Sequence, residues 1–330
     1  MKNITKHFGL VAVAFSITLL MSSFTPEVHA PFDGAQTDNC KINSRYGGVQ
    51  IGAITYSFRS IREIDAVIQA CVDAGLSSVE LMGTGIEAYL GAPENPISWR
   101  RRRADDKTDE EKAALAKYQE EIKGFRNDPA NLEKYVELRK KFNDAGINIH
   151  IYKWTAGMSD QELDYSFKVA KTLGAIGITT EIGEENCRIV GAAAERAGMV
   201  AIFHNHYQYA DEDFDVDALL ALSPANRLNF DIGHYYGSTG KDPVKFIEKY
   251  HDRIASIHLK DKTGPDNEVE KNANQVWGQG QAPIAEVLQL IQQNQWPIYC
   301  DIELEYKIKK WSDPVKEVSI CREFCRQNLL

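Results

Sequence analysis

From residue 49 onward, short runs of β-branched and aliphatic residues alternate with longer stretches whose apolar positions recur every three or four residues. The short runs predict eight strands, at 49–54, 77–81, 147–152, 175–180, 199–203, 227–231, 254–259 and 297–303. The stretches between them predict helices over 60–74, 129–145, 159–172, 185–197, 215–222, 242–250, 281–294 and 312–328. Several helices run into a glycine that a strand follows at once, as at Gly75, Gly146, Gly174 and Gly198; glycine accepts the left-handed conformation that stops a helix. Strands and helices alternating in this way call for a parallel sheet covered by helices, an α/β chain. Eight such units in about 280 residues match a (β/α)8 TIM barrel in size, whereas a doubly wound sheet rarely needs eight.

Residues 84–128 break the rhythm with a Gly/Pro-rich loop, the run Arg100 to Arg103 and a charged helical stretch. They are expected to form a solvated helical insertion after the second strand; the sharper alternative is a lid or dimer arm over the barrel mouth. At the other end, Lys2 and Lys6 precede a charge-free apolar run from Phe8 to Met21 and a Val28-His29-Ala30 sequence of signal-peptidase type. That run is short for a membrane span. The expected organisation is a signal peptide over 1–30, an N-terminal extension over 31–48 and a barrel over 49–330 carrying the 84–128 insertion, with an uncleaved amphipathic anchor as the alternative at the N-terminus. No integral membrane domain is expected, and the location is exported, periplasmic or secreted.

With 38 basic against 47 acidic residues the formal net charge is −9, which offers no general attraction to phosphate backbones or anionic lipid. Nucleic acid is therefore not an expected partner. Six cysteines (Cys40, Cys71, Cys187, Cys300, Cys321, Cys325) are scattered without CxxC pairs, so neither a disulfide scaffold nor a zinc ribbon is expected.

Barrels of this kind place their chemistry at the C-terminal ends of the strands. Those ends carry Glu80, then His150 and Lys153, Glu181, His204-Asn205-His206, Asp231 and His234, His258 and Lys260, and finally Glu303 and Glu305. A single strand-end carboxylate is ordinarily a helix cap or ion-pair partner, and His150 alone reads equally well as a hydrogen-bonded core residue. Seven consecutive strand ends carrying such groups are different, because unpaired charges gathered in one mouth cost about several kcal/mol each. A bound cation offsets that repulsion. The set Glu181, Asp231, His258 and Glu303 offers three carboxylates and an imidazole from four strands, ligation that suits one divalent cation (Mn, Mg, Co or Zn), oxygen-rich as it is.

At these residues the chain resembles the xylose isomerase-like TIM barrel superfamily of sugar phosphate isomerases and epimerases. The matching pieces are VELMG (79–83), HIYKW (150–154), TTEI (179–182), FHNHYQY (203–209), NFDIGH (229–234), IASIHLKD (254–261), VWGQGQAPIAEVL (276–288) and IELEY (302–306). The resemblance implies metal ligation by Glu181, Asp231, His258 and Glu303, with Glu305 as the alternative on the last strand. It implies catalytic roles for Glu181, Glu303, His206 and Lys153, and substrate contacts for Glu80, His204, His234 and Lys260.

What the superfamily's isomerases, epimerases and dehydratases share is removal of a proton beside a sugar carbonyl. The function expected first is a divalent-metal-dependent carbohydrate isomerase or epimerase acting on a small unphosphorylated sugar, the export segment speaking against phosphorylated intermediates. The alternatives are a 3-keto-glycoside 1,2-lyase or dehydratase using the same metal and base, and a non-catalytic sugar-binding barrel.

Overall fold

The computed structural model describes residues 42–102 and 104–330, with Trp99 and Arg100 described in their backbone alone. The expected signal peptide, the extension up to residue 41, Cys40 and Arg103 lie outside the described residues. A short strand β1 (Arg45–Tyr46) pairs antiparallel with β2 (Val49–Ile54). Seven further strands follow: β3 (Ser78–Met82), β4 (Asn148–Lys153), β5 (Gly177–Glu181), β6 (Val200–His204), β7 (Asn226–Asp231), β8 (Ile254–Leu259) and β9 (Tyr299–Ile302). From β2 to β9 every neighbouring pair is parallel, and β9 pairs back to β2 from Gln50↔Tyr299 to Ala53↔Ile302, which closes an eight-stranded TIM barrel. The strands lie within two residues of the bounds that the hydrophobic pattern predicts.

The helices stack around this barrel because each carries one apolar stripe. In helix 160–173, Leu163, Phe167, Val169, Ala170 and Leu173 are buried, and Gly174 at φ +82° stops the helix as the sequence suggests. Helix 184–197 ends the same way at Gly198, φ +67°. Between β3 and β4 the chain adds a short turn of helix at Ile86–Tyr89, another at Trp99–Arg102 and a long helix at Asp109–Asn127, so the expected charged helical run is present. Two short helices of this region and helix Ile232–Thr239 go beyond the helices that periodicity predicts. The last begins directly at the end of β7 with no loop between, and Gly233, Gly237, Ser238 and Thr239 give it little intrinsic helical signal.

Arg126, at the end of helix 109–127, is 2.8 Å from Glu87 and 3.0 Å from Glu162, and its guanidinium lies 5.1 Å from the Trp154 ring centre. The insertion is thereby tied to the loops that leave β3 and β4. Among the described residues no helix is long and apolar enough to cross a membrane. Five cysteines, Cys71, Cys187, Cys300, Cys321 and Cys325, are free and buried.

The barrel lumen is polar over its upper part. Glu80 on β3 reaches side chains of β5, β7 and β8, which lie around the ring from it, so these groups meet through the interior. Lower down, His150 is held between Ser78 Oγ and Asp301 Oδ2, both at 2.8 Å, and stacks on Tyr299 at 4.1 Å; it is a satisfied core histidine. Asp301 fits because its neighbour across the β2–β9 seam is Gly52: a Cβ there would stand 2.3 Å from Asp301 Oδ1 and 2.9 Å from Ser78 O. Gly52→Ala is therefore expected to destabilise the fold by about 1–3 kcal/mol through overpacking, read as a lower denaturant midpoint with an unchanged slope; a midpoint equal to wild type would show that the seam has room.

Candidate metal centre and active site

Strand β7 ends on Asp231, which caps the helix that follows: Oδ1 accepts from the backbone N–H of His234 at 2.7 Å. One turn of helix then brings the His234 side chain back beside the same carboxylate, its Nε2 3.9 Å from Asp231 Oδ2. The Asp-x-x-His spacing is thus a capping geometry with a chemical by-product, since Oδ1 is consumed by the cap and Oδ2 is left over. Asn205 fixes this strand end by accepting from Asp231 N at 2.9 Å and donating to Asp231 O at 3.2 Å.

His258 on β8 lies between two carboxylates, with Nε2 2.7 Å from Glu80 Oε2 and Nδ1 2.8 Å from Glu303 Oε2. Burial works against a charged ring here, but Glu303 and Glu80 hold the imidazole well above its ordinary value. Glu80 is itself fully buried; Thr179 Oγ1 donates to its Oε1 at 2.7 Å and Asn229 Nδ2 to its Oε2 at 2.9 Å. Although burial opposes ionisation, His258 draws Glu80 below the usual carboxylate range.

Lys260, two residues on, inserts its ammonium among three carboxylates: Asp231 Oδ2 at 2.9 Å, Glu303 Oε2 at 3.0 Å and Glu305 Oε2 at 2.8 Å. These neighbours outweigh burial and raise the ammonium above its ordinary value. Burial opposes ionisation of Glu303, yet Lys260 and His258 press it well below the usual carboxylate range.

His204, Asp231, His258 and Glu303 each present a ligand atom, all within 4.8 Å of one another and all buried. Two acceptors in this group carry no hydrogen bond: His204 Nδ1, and Asp231 Oδ2, where the nearby Lys260 is misaligned for one. Burial, and then the charges of Lys153 and His258, hold His204 well below its ordinary value, so it is a neutral ring with a lone pair to offer. Buried lone pairs without donors, two carboxylates and two imidazoles fit a divalent cation, with mixed nitrogen and oxygen ligation. In that role His258 would use Nδ1 while Glu80 holds Nε2–H, the carboxylate–histidine–metal arrangement that orients metal-binding imidazoles.

The sequence-derived ligand set meets this geometry in three members. Asp231, His258 and Glu303 converge, and the fourth partner is His204, expected among substrate-contacting residues. Glu181 stands in no such group of the described residues. Its side chain is 45% exposed, Oε1 receives Lys153 Nζ at 3.0 Å, and Oε2 lies 3.3 Å from His206 Nδ1 without a hydrogen bond. Glu181, Lys153 and His206 therefore form a second, more open triplet on the neighbouring ends of β4, β5 and β6. Burial disfavours the Lys153 charge, yet Glu181 and Glu80 keep it above the ordinary lysine value.

Glu80, also expected at the substrate, has both oxygens committed beneath His258 instead. Glu305 is not a member of the four-ligand group and serves Lys260 and Asn274. Asn229, which opens the NFDIGH piece but is assigned no role by the resemblance, and Lys262, one residue past the IASIHLKD piece, are buried beside these residues.

A family model described as xylose isomerase-like TIM barrel matches residues 68–320, and the chain belongs to that family. An inosose dehydratase from Clostridium perfringens is 28% identical over 136 residues, which is 37% of this chain and 46% of that protein. The chain spans less than half the length of the curated relatives it matches, and these relatives are enzymes. Among solved structures, the 3-keto-D-glucoside 4-epimerase of E. coli aligns over 84% of this chain and 99% of its own, at TM-score 0.54 and 12% identity. An IolI protein with a bound zinc atom aligns over 86% and 99%, at TM-score 0.55 and 10% identity. These last two likenesses are of fold.

Two outcomes follow from the geometry. Gently purified protein is expected to contain close to one divalent ion per chain, which Asp231→Asn abolishes and Glu181→Gln largely retains, as elemental analysis would read. Equal loss in both variants would return Glu181 to the ligand set. Glu80→Ala is expected to weaken metal affinity by about 10–100-fold by releasing His258; an unchanged affinity in a competitive chelator titration would remove Glu80 from that role.

Proposed function

We propose that this member of the xylose isomerase-like family is a metal-dependent enzyme that removes the proton beside the carbonyl of an uncharged carbohydrate and then expels an oxygen substituent from the adjacent carbon. The observation that carries the reading is the pairing of one buried ligand group, His204, Asp231, His258 and Glu303, with one open base, Glu181, at the same barrel mouth. A cation held there would act as a Lewis acid on the carbonyl oxygen and make the neighbouring C–H more acidic.

The chain's own residues then have distinct tasks. Lys153 holds Glu181 Oε1 at 3.0 Å, and Oε2, shielded beside His206 in this structure and without a hydrogen bond, is the oxygen left to take the proton on carbon. Lys153 remains charged and is placed to donate to a substrate oxygen. His206, 42% exposed in its side chain, stands beside the base at the rim. Glu303, by contrast, is tied to His258 and Lys260, so it serves as a ligand more readily than as a second base.

That asymmetry favours elimination. Epimerisation by two bases needs a free carboxylate on each face of the substrate, and the geometry frees one. The inosose dehydratases among the relatives support the same order, which places the dehydratase or lyase ahead of the isomerase or epimerase expected first from the sequence. A non-catalytic binding barrel would have no use for a base held free of hydrogen bonds.

Charge supports a neutral substrate. Around the centre the carboxylates Glu80, Asp231, Glu303 and Glu305 face the ammoniums Lys260 and Lys262. A dication with His258 as a neutral ligand closes that balance, and Glu181 is matched by Lys153. No anionic group on the substrate is required, in keeping with an exported enzyme that meets unphosphorylated sugars or glycosides.

The reading is tested with metal-loaded protein on cyclic ketoses, inososes and 3-keto-glycosides in D₂O. The expected result is loss of the α-hydrogen and of the adjacent substituent, with an unsaturated ketone seen by NMR and near-ultraviolet absorbance, and turnover at least about 100-fold lower in Glu181→Gln. Deuterium retained at the α-carbon of a rearranged sugar would favour the isomerase or epimerase instead. Activity confined to phosphate esters would overturn the neutral substrate.

A further inference from the structure

Tyr207, on the loop that leaves β6, carries none of the roles assigned above. Large apolar side chains scattered singly over a surface are ordinary, but Tyr207 belongs to a continuous set of rings that begins at the ligand group. His204, a member of that group, meets His206 with ring centres 4.8 Å apart and His234 at 6.1 Å. Both of these rings in turn meet Tyr207, His234 at 5.4 Å and His206 at 6.1 Å. His206 Nδ1 also lies 3.3 Å from Glu181 Oε2, the oxygen left to act as base. The tyrosine therefore stands one ring beyond His206, which borders the ligand group on one side and the base on another.

One face of the tyrosine ring is closed and the other is open. The ammonium of Lys262 lies over the ring, 5.6 Å from its centre, and Lys262 is 1% exposed, so that side is interior. His234, also buried, meets the ring with the two planes nearly perpendicular, at 82°. Tyr207 is nevertheless 56% exposed, and with the interior side filled that exposure belongs to the opposite face. The backbone beneath is held as well: Gln208 Oε1 accepts from His206 N at 2.6 Å, and Ala210 N donates to Tyr207 O at 3.0 Å. A ring already fixed by its neighbours loses little freedom when another group stacks on it.

We infer that the open face of Tyr207 is a subsite for a ring that the substrate carries on its departing oxygen, so that the substrate is a glycoside and not a free cyclic ketose. A reacting sugar with its carbonyl oxygen at the ligand group and its acidic C–H at Glu181 Oε2 occupies the mouth as far as His206. Tyr207 lies beyond it and meets whatever is attached to that sugar. What a tyrosine face takes is a flat and partly apolar surface, either the C–H face of a second pyranose or the face of an arene. Both are neutral, in keeping with the charge balance of the centre. A group seated at the rim also departs without passing the ligand group, whereas an enzyme that expels water alone has no need of such a surface. Tyr207 binds and takes no part in the proton transfers. The inference rests on the proposed elimination for calling this ring the leaving group, while the seating of a ring on Tyr207 does not depend on it.

Metal-loaded full-length protein is to be titrated calorimetrically with methyl glucopyranoside, phenyl glucopyranoside and methyl cellobioside, the two glucosides in both anomers. None of them carries the ketone that the reaction needs. The phenyl glucoside, the cellobioside or both are expected to bind about 10-fold more tightly than the methyl glucoside. Preference for the phenyl compound alone identifies an arene as the occupant, and preference for the cellobioside alone identifies a sugar. Tyr207→Ala should abolish the preference and Tyr207→Phe should keep it, with the thermal midpoints of both near wild type. On the same glycosides oxidised to ketones at C3, Tyr207→Ala should lower kcat/KM for the preferred compound about 10-fold more than for the methyl glycoside. Equal binding of all three by wild type, a preference that persists in Tyr207→Ala, or an equal loss of kcat/KM on both ketones would each overturn the subsite. The titrations use glycosides that do not react, so they decide the subsite even where the D₂O screen finds no elimination.

Discussion

The site depends on the ammonium of Lys260, which stands among Asp231, Glu303 and Glu305 in the lumen of the barrel. Carboxylates this close repel one another strongly away from water, and an ammonium at hydrogen-bond distance from all three lets them remain ionised. On the other side of Glu303, His258 extends the chain of opposite charges to Glu80. The alternation Glu80, His258, Glu303, Lys260, Asp231 runs across the interior, and each member is aimed by the next. A divalent cation would join a framework already ordered by these contacts instead of having to gather its ligands from a flexible mouth.

The framework divides labour by depth. Buried groups such as Glu80 and Thr179 have their side-chain hydrogen bonds met by protein and serve to orient. One level up, His204 and Asp231 keep acceptors without donors, the signature of a place for a cation. Nearest the rim, Glu181 and His206 retain exposure, so a substrate can reach them. Proton chemistry is thus placed where a ligand can enter, and the costly charges lie where neighbours compensate them.

The loops carry this arrangement outward. Asp261, between Lys260 and Lys262, accepts from the backbone N–H groups of Gly278 at 2.8 Å and Gly280 at 2.9 Å, and more weakly from Ala282 at 3.3 Å. That carboxylate pins the long segment after β8 against the strand end. At Gly280 a Cβ would stand 2.1 Å from Asp261 Oδ1, so glycine is required by the close approach. The glycines of this segment are thereby explained by packing against a carboxylate, with no phosphate needed to account for them.

The sequence by itself determined the eight strands, most of the helices and the residues at each strand end, because period-two and period-3.6 patterns and glycine stops are local properties. It also determined that Asp231, His258 and Glu303 would share one mouth, since parallel strands in a closed barrel bring their C-terminal ends together. Local pattern could not tell which atoms meet. Whether Glu80 points to substrate or braces His258 depends on lumen contacts between residues 178 positions apart, and Glu181 and His204, neighbours in register across β5 and β6, differ in burial, the histidine enclosed and the glutamate half exposed. Helix 232–239 escaped because its start is fixed by a carboxylate cap and its packing, with little help from propensity. Lys262 escaped because a lysine has no periodic signature, and only the closed barrel shows that its ammonium is buried against an imidazole already held from the other side.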